Sequence, residues 1–176
     1  MKAFPLSKVY ALVEAGPVVL LTTAHKGRQN VMTMSWLMPL EFEPPLVALV
    51  VGAGNHSFAA LRKTRECVIA IPPAALAKTV VKVGNLSGRD GEKFAATGLT
   101  PLPASEVKAP LIAECFANLE CRVRDTREVN RYNLFVVEVV RAWADPAWKS
   151  AKTLHHRGYG EFAMDGDILK LKSHKA

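Results

Sequence analysis

Cysteine occurs only three times in 176 residues, as Cys67, Cys115 and Cys121. A low, odd count argues against a disulfide framework and fits a reducing compartment. On one strand, Cys115 and Cys121 would stand about 20 Å apart, too far for a bridge. Their spacing is no zinc pattern either, so the thiols read as small buried hydrophobes. Aromatic residues make up 7% of the chain. No stretch alternates them with Lys or Arg, which a groove for single-stranded nucleic acid requires. No apolar run reaches the roughly eighteen residues that cross a bilayer. The N-terminal "MKAFPLSKVYALVEAGPVVLL" is broken by Pro5, Ser7, Lys8 and Glu14, which makes a poor signal peptide. The protein reads as cytoplasmic, with no membrane and no nucleic-acid partner. There is no G-x-G-x-x-G within a βαβ pattern, which argues against a Rossmann domain. There is also no H-E-x-x-H. No catalytic triad, carboxylate pair or metal site is expected.

What remains is an ordinary globular composition, 49% hydrophobic and 22% charged, of a length that supports one domain over residues 1–176. The net charge of +7 suits a phosphate-bearing partner, although Lys and Arg are dispersed as on a solvated surface. A strand in "GPVVLLTTAHKG" stops at a turn on His25, Lys26 and Gly27. A second strand covers 30–38 and ends at Pro39. After the Glu43, Pro44, Pro45 turn, 46–52 reads as a strand buried on both faces. "SFAALRKTR" reads as a short helix capped by Asn55 or Ser57, and "ECVIAI" as a buried strand. Pro73 opens a helix closed by Gly84, and "SGRDGEKFAATG" holds another, closed by Gly98. A Pro-rich loop follows. Long strands are expected in 113–129 and 132–145, then a hairpin turning on Asp165, Gly166 and Asp167. The fold class is mainly β with short helices: six to eight strands, largely antiparallel, closing into a barrel.

Four segments carry groups suited to chemistry. In "NVMTMSWLMPL" (30–40), Met32, Met34, Trp36 and Met38 alternate with Val31, Thr33, Ser35 and Leu37. Such a Met and Trp face fills irregular core, while the hydroxyls and strand backbone can meet the polar rim of a flat heterocycle. In "GNHSFAAL", Asn55, His56 and Ser57 open a helix, where free amides and the dipole favour phosphate. Plain N-capping, which needs no ligand, is the commoner reason for such residues at a helix start. Ser87, Arg89 and Lys93 in "LSGRDGEKF" are donors, or a solvated turn. "KTLHHRGYGEF" groups His155, His156, Arg157 and Tyr159. Adjacent histidines on a strand point to opposite sides, so they are poor joint metal ligands.

Taken in order, "NVMTMSWLMPLEFEPPLVALVVGAGNHSFAALRKTRECVIAIP", "SGRDGEKF", "LHHRGYGEF" and "DGDILKL" resemble the flavin reductase-like, FMN-binding split-barrel proteins, especially their flavoredoxin-like branch. The resemblance runs from about Val18 to Leu171. It implies an FMN-binding split β-barrel homodimer with FMN near the subunit interface. Asn30, Met32, Thr33, Met34, Ser35 and Trp36 would line the isoalloxazine and ribityl chain, with the hydroxyl side towards flavin and the Met and Trp side filling the barrel. Asn55, His56 and Ser57 would hold the phosphate. Lys93, His155, His156 and Arg157 would close the site, from the same or the other subunit. The implied activity is an oxidoreductase passing electrons from NADH or NADPH through FMN to an acceptor. The alternatives are an FMN-containing electron carrier reduced by a redox protein, a related split barrel handling pyridoxamine phosphate or haem, or a basic β-barrel binding nucleic acid.

Overall fold

The computed structural model describes residues 16–168. The strands are β1 (Val19–His25), β2 (Arg28–Met34), β3 (Leu37–Glu41), β4 (Leu46–Val50), β5 (Glu66–Ile71), β6 (Pro101–Leu102), β7 (Leu111–Ile112), β8 (Ala117–Asp125), β9 (Leu134–Ala144), β10 (Leu154–Gly158) and β11 (Glu161–Met164). The α-helices are α1 (His56–Thr64), α2 (Ala77–Asn85), α3 (Lys93–Thr97) and α4 (Val129–Tyr132). Seven strands form one sheet in the order β2-β1-β5-β8-β9-β4-β3. Every neighbouring pair in it is antiparallel. The pairs β6–β7 and β10–β11 form two separate ribbons.

The first and last strands of that order, β2 and β3, are consecutive in the chain, with only Ser35 and Trp36 between them. The sheet is therefore drawn round on itself as a split barrel. Its interior holds Val19 and Leu21 of β1, Met34 of β2, Leu49 of β4, Ile69 of β5, Val123 of β8 and Phe135 and Val137 of β9, with Leu61 of α1. Period-two alternation sends the other side chains of β1 and β2 outward. There Leu20 and Val31 pack with Val80 and Val83 of α2 and with Phe94 of α3. β1 is thus buried on both faces, and α2 and α3 lie outside the barrel against β2. The β1–β2 hairpin turns on Lys26 and Gly27, both at positive φ, the geometry of a two-residue turn that matches strand twist.

Several expectations change. The strand expected over 30–38 breaks at Ser35 and Trp36, and β3 runs on through Pro39. Proline is tolerated there because β3 is an edge strand with a register shift between Pro39 and Glu41. The break resets the alternation. Met34 enters the barrel, but Trp36 is 54% exposed and does not fill it. The late hairpin turns on Tyr159 and Gly160, both at positive φ, between β10 and β11. Asp165, Gly166 and Asp167 follow β11, and residues 169–171 of the expected hairpin lie outside the described residues, as do residues 1–15 of the N-terminal reading. Asn55 takes the N-cap position of α1 without a side-chain capping bond. Gly84 belongs to the last turn of α2 rather than following it. β4 stops at Val50, and Leu46, Val47 and Val50 are only partly buried. The Pro-rich loop carries the short β6.

One carboxylate fastens that loop. Glu120 of β8 is fully buried. It accepts hydrogen bonds from the backbone N–H groups of Ser105, Glu106 and Val107, from Ser105 Oγ and from Trp143 Nε1, at 2.6 to 3.2 Å. Burial alone would raise its pKa, but the bonds from Trp143, Glu106 and Ser105 outweigh burial and hold it below the usual value. Among the described residues, no helix is long and apolar enough to cross a membrane.

Candidate functional site

A cavity of about 300 Å³ opens where β2, the start of α1, the end of α2 and the loop before α3 converge. Asn30 of β2 is nearly buried, and its Nδ2 donates to Ser57 Oγ at 2.8 Å, tying the strand to α1. Thr33 Oγ1 donates to the Val80 carbonyl at 2.6 Å, tying the strand to α2. Arg89 Nη2 donates to the Gly54 carbonyl at 2.8 Å, tying the loop before α3 to the loop before α1. Gly88 presses against this frame. A Cβ there would lie 2.2 Å from Asn30 Oδ1 and 3.1 Å from His56 Cγ, so no side chain fits without displacing Asn30.

The electrostatics have one sign. Arg89, Lys93 and His56 line the cavity, and no Asp or Glu does. α1 begins there with no acidic residue in its first turn. Glu92 is close in sequence but pairs with Arg28 at 3.5 Å out in solvent. Lys93 is 5% exposed, and burial lowers its pKa. The pKa of His56 is lowered as well, first by burial and then by the charges of Arg89, Arg28 and Lys93. Its Nδ1 is buried without a hydrogen-bond partner. A buried cation, a helix N-terminus and an orphaned imidazole nitrogen together favour an anion.

A second cavity of about 350 Å³ shares Thr33, Gly84 and Asn85 with the first. Its character is different. Val18, Met34, Val80, Val81 and Phe162 supply apolar walls, Thr33 and Ser35 supply hydroxyls, and no charged residue lines it. His156 is there too, its ring 5.3 Å from that of Phe162. An apolar slot with a few polar groups suits a flat, uncharged ring system with a polar rim.

Asn30, Met32, Thr33, Asn55, His56, Ser57 and Lys93 therefore meet in the first cavity, and Thr33, Met34, Ser35 and His156 in the second. Lys93 and His156 reach these cavities within one chain. Trp36, His155 and Arg157 line neither. His155 Nε2 instead contacts Asp165 Oδ1 at 2.8 Å and Thr153 Oγ1 at 2.9 Å, tying β10 to the segment after β11. Arg157 is exposed. Sequence reasoning missed Gly88 and the wall made by Val80, Val81, Gly84 and Asn85. The sequence held no signal for either, since only the structure separates the exposed Val81 from its buried neighbour Val80 on α2.

The model of the flavin reductase like domain matches residues 13–163. Protein YddH of Escherichia coli K12 is 35% identical over 169 residues, covering 88% of this chain and 89% of its own. The reductase component of a 4-nitrophenol 4-monooxygenase/4-nitrocatechol 2-monooxygenase from Rhodococcus opacus is 33% identical over 133 residues, covering 74% and 66%. Among solved structures, an FMN-binding domain of a flavin reductases-like enzyme from Shewanella baltica OS155 superposes with a TM-score of 0.84 at 27% identity, covering 97% of each chain. The flavoredoxin of Desulfovibrio vulgaris (Miyazaki F) shares the fold, with a TM-score of 0.86 at 22% identity, covering 100% of this chain and 99% of its own.

Proposed function

The chain belongs to the flavin reductase-like domain family, and from that premise we propose that it is an FMN-binding oxidoreductase that passes electrons from NADH or NADPH to an acceptor. One observation carries the reading: a cationic cavity without carboxylates joins, through Thr33, Gly84 and Asn85, an apolar cavity without charges. That division matches a mononucleotide with an anionic phosphate at one end and a flat heterocycle at the other. The shared residues lie where the ribityl chain would pass. The FMN-binding solved structure and the monooxygenase reductase component support it from outside.

When bound, the flavin supplies the redox chemistry between donor and acceptor, and the protein binds and orients it. Lys93, Arg89 and the first amides of α1 hold the phosphate. His56 adds a nitrogen that lacks a partner in the described structure. Thr33 donates its proton to Val80, so its oxygen faces a ligand as an acceptor. Met34, Val80 and Phe162 keep water from the apolar faces.

The working unit in this proposal is a cytoplasmic homodimer. Trp36, Met38 and Leu40 alternate along the edge strand β3 and its approach, and Phe42 continues the series in the following turn. They are 54%, 54%, 44% and 91% exposed. A run of exposed large apolar side chains beside an open sheet edge marks an interaction surface, and a second copy of the chain covers it. The test of function is rapid mixing of the FMN-loaded protein with NADH and with NADPH. Bleaching of the flavin band by either donor is expected. A band that neither donor bleaches, but that a reduced redox protein does, would replace the reductase with an electron carrier.

A further inference from the structure

Gly84 sits inside α2, in its last turn. Glycine weakens a helix relative to alanine, because it gives up more backbone freedom on folding. Three structural needs could still demand it, and none applies. Its φ is not among the positive ones, which belong to Gly27, Gly91, Gly98, Gly158 and Gly160. It does not end the helix, since the C-cap is Leu86 in extended backbone. Nor is it squeezed between α2 and β2. A Cβ there would stand 3.6 Å from Thr33 Cβ and 3.7 Å from Thr33 Oγ1, which is ordinary van der Waals contact, and would meet nothing else within 4 Å beyond its own stretch of helix. Gly88 is the contrast, where a Cβ would collide with Asn30 at 2.2 Å. Alanine therefore fits the protein at position 84 and suits the helix better.

What a methyl group would take is space at the junction of the two cavities. Thr33, Gly84 and Asn85 line both of them. Gly84 is exposed, and a methyl there would rest against Thr33 with its other sides open. The junction is neutral, unlike the end that holds His56, Arg89 and Lys93. Thr33 gives its proton to the Val80 carbonyl, which leaves oxygen lone pairs to accept, and Asn85 offers an amide that both donates and accepts. A neutral chain bearing hydroxyls, lying against bare helix backbone, matches these three residues.

We infer that Gly84 is bare for the ligand and not for the fold: with Thr33 and Asn85 it forms the slot that admits a polyol chain between an anionic group and a planar ring, and so selects flavins that carry the ribityl chain. The inference rests on the mononucleotide reading of the two cavities for what fills the slot, and adds to it the residue that gauges the chain.

The test is Gly84→Ala, read for stability and for binding. In urea, the flavin-free variant should be at least as stable as wild type, with its unfolding constant lowered about two- to fivefold. By fluorescence titration, its dissociation constant for FMN should rise about 5- to 150-fold. Lumiflavin, which carries a methyl group where FMN has its chain, probes the ring alone and should bind variant and wild type alike. In crystals of the wild type grown with FMN, the ribityl chain should lie within about 4 Å of the Gly84 Cα. A variant that binds FMN as tightly as wild type overturns the inference. So does one that loses stability along with FMN, since the glycine would then serve the fold. Equal losses of FMN and lumiflavin overturn it too, since the methyl would then block the ring. If lumiflavin binds too weakly to titrate, the position of the chain in the crystal decides. A wild type that binds no FMN is a different failure: it removes the mononucleotide reading itself, whereas FMN bound equally by both proteins removes only the role of Gly84.

Discussion

Replacing Gly88 with alanine adds one methyl group to the protein. At the ideal position it stands 2.2 Å from Asn30 Oδ1 and 2.8 Å from Asn30 Cγ, far inside contact distance. Asn30 has little freedom to retreat, because it is 9% exposed and its Nδ2 is held by Ser57 Oγ at 2.8 Å. Forcing an extra methyl into packed surroundings costs about 1–3 kcal/mol, and losing the Asn30–Ser57 bond adds about 1 kcal/mol. The total is about 2–4 kcal/mol, which corresponds to about 30- to 700-fold in an equilibrium constant. Two measurements divide it. If the loop stays in place, the cost appears as lost stability of the flavin-free protein in urea. If the loop swings out, binding must return it, and the cost appears as weaker FMN binding in a fluorescence titration. The two losses should sum to that total. Gly54→Ala is the comparison, since a Cβ there meets nothing within 4 Å. A Gly88→Ala protein with both quantities within about 0.5 kcal/mol of wild type refutes the reasoning.

Four further outcomes follow from the same geometry. Lys93→Met should weaken FMN binding about 10- to 100-fold and leave riboflavin, which lacks the phosphate, unaffected. Because burial already disfavours the Lys93 charge, the flavin-free variant should melt no lower than wild type. Glu120→Gln should cost about 2–4 kcal/mol in urea unfolding, since it turns a charged acceptor of five bonds into a group that also carries protons. The folded pKa of Glu120 lies below 4.5, so its contribution is complete above that pH and is lost as pH falls through the folded value. Wild type should therefore approach the variant's stability in acid. His56 has a lowered pKa in the free protein, which a bound phosphate raises, so binding takes up a proton. The ratio of wild-type to His56→Gln affinity for FMN should grow as pH falls from about 8 to about 6. Using the ratio cancels the ionisation of the phosphate itself, and a flat ratio contradicts the assignment. Phe42→Asp, with or without Trp36→Ser, should shift a dimer to monomer in sedimentation, because the interface loses apolar area at its centre.

The strands were legible in the sequence because their local signals agree with the tertiary structure. Lys26 and Gly27 demand a tight turn, and the alternation across Val18 to Leu21 supplies two cores at once. Pro39 misled for a physical reason. Proline ends a central strand, but nothing local announces that β3 is an edge, where proline is tolerated. Trp36 misled for a related reason, since a two-residue break changes which face a side chain takes. Within the site, Thr33 was readable as a hydroxyl on one strand face, and Asn55, His56, Ser57 and Lys93 as donors near helix starts, while Asn30 came only with the family resemblance. Gly88 was not readable. Its importance lies in a close approach to Asn30, 58 positions away in the chain, and sequence carries no trace of that distance. His155 and His156 were indistinguishable until the strand placed one beside Phe162 and the other beside Asp165.

The most direct test of the central claim is the visible absorption spectrum of the freshly purified protein, recorded as isolated and again after FMN is added and the sample dialysed. The account predicts a flavin band that survives dialysis in the wild type and is reduced in Lys93→Met. A protein that shows no flavin band, even after reconstitution, contradicts it: the barrel would then be present without the mononucleotide site assigned to it.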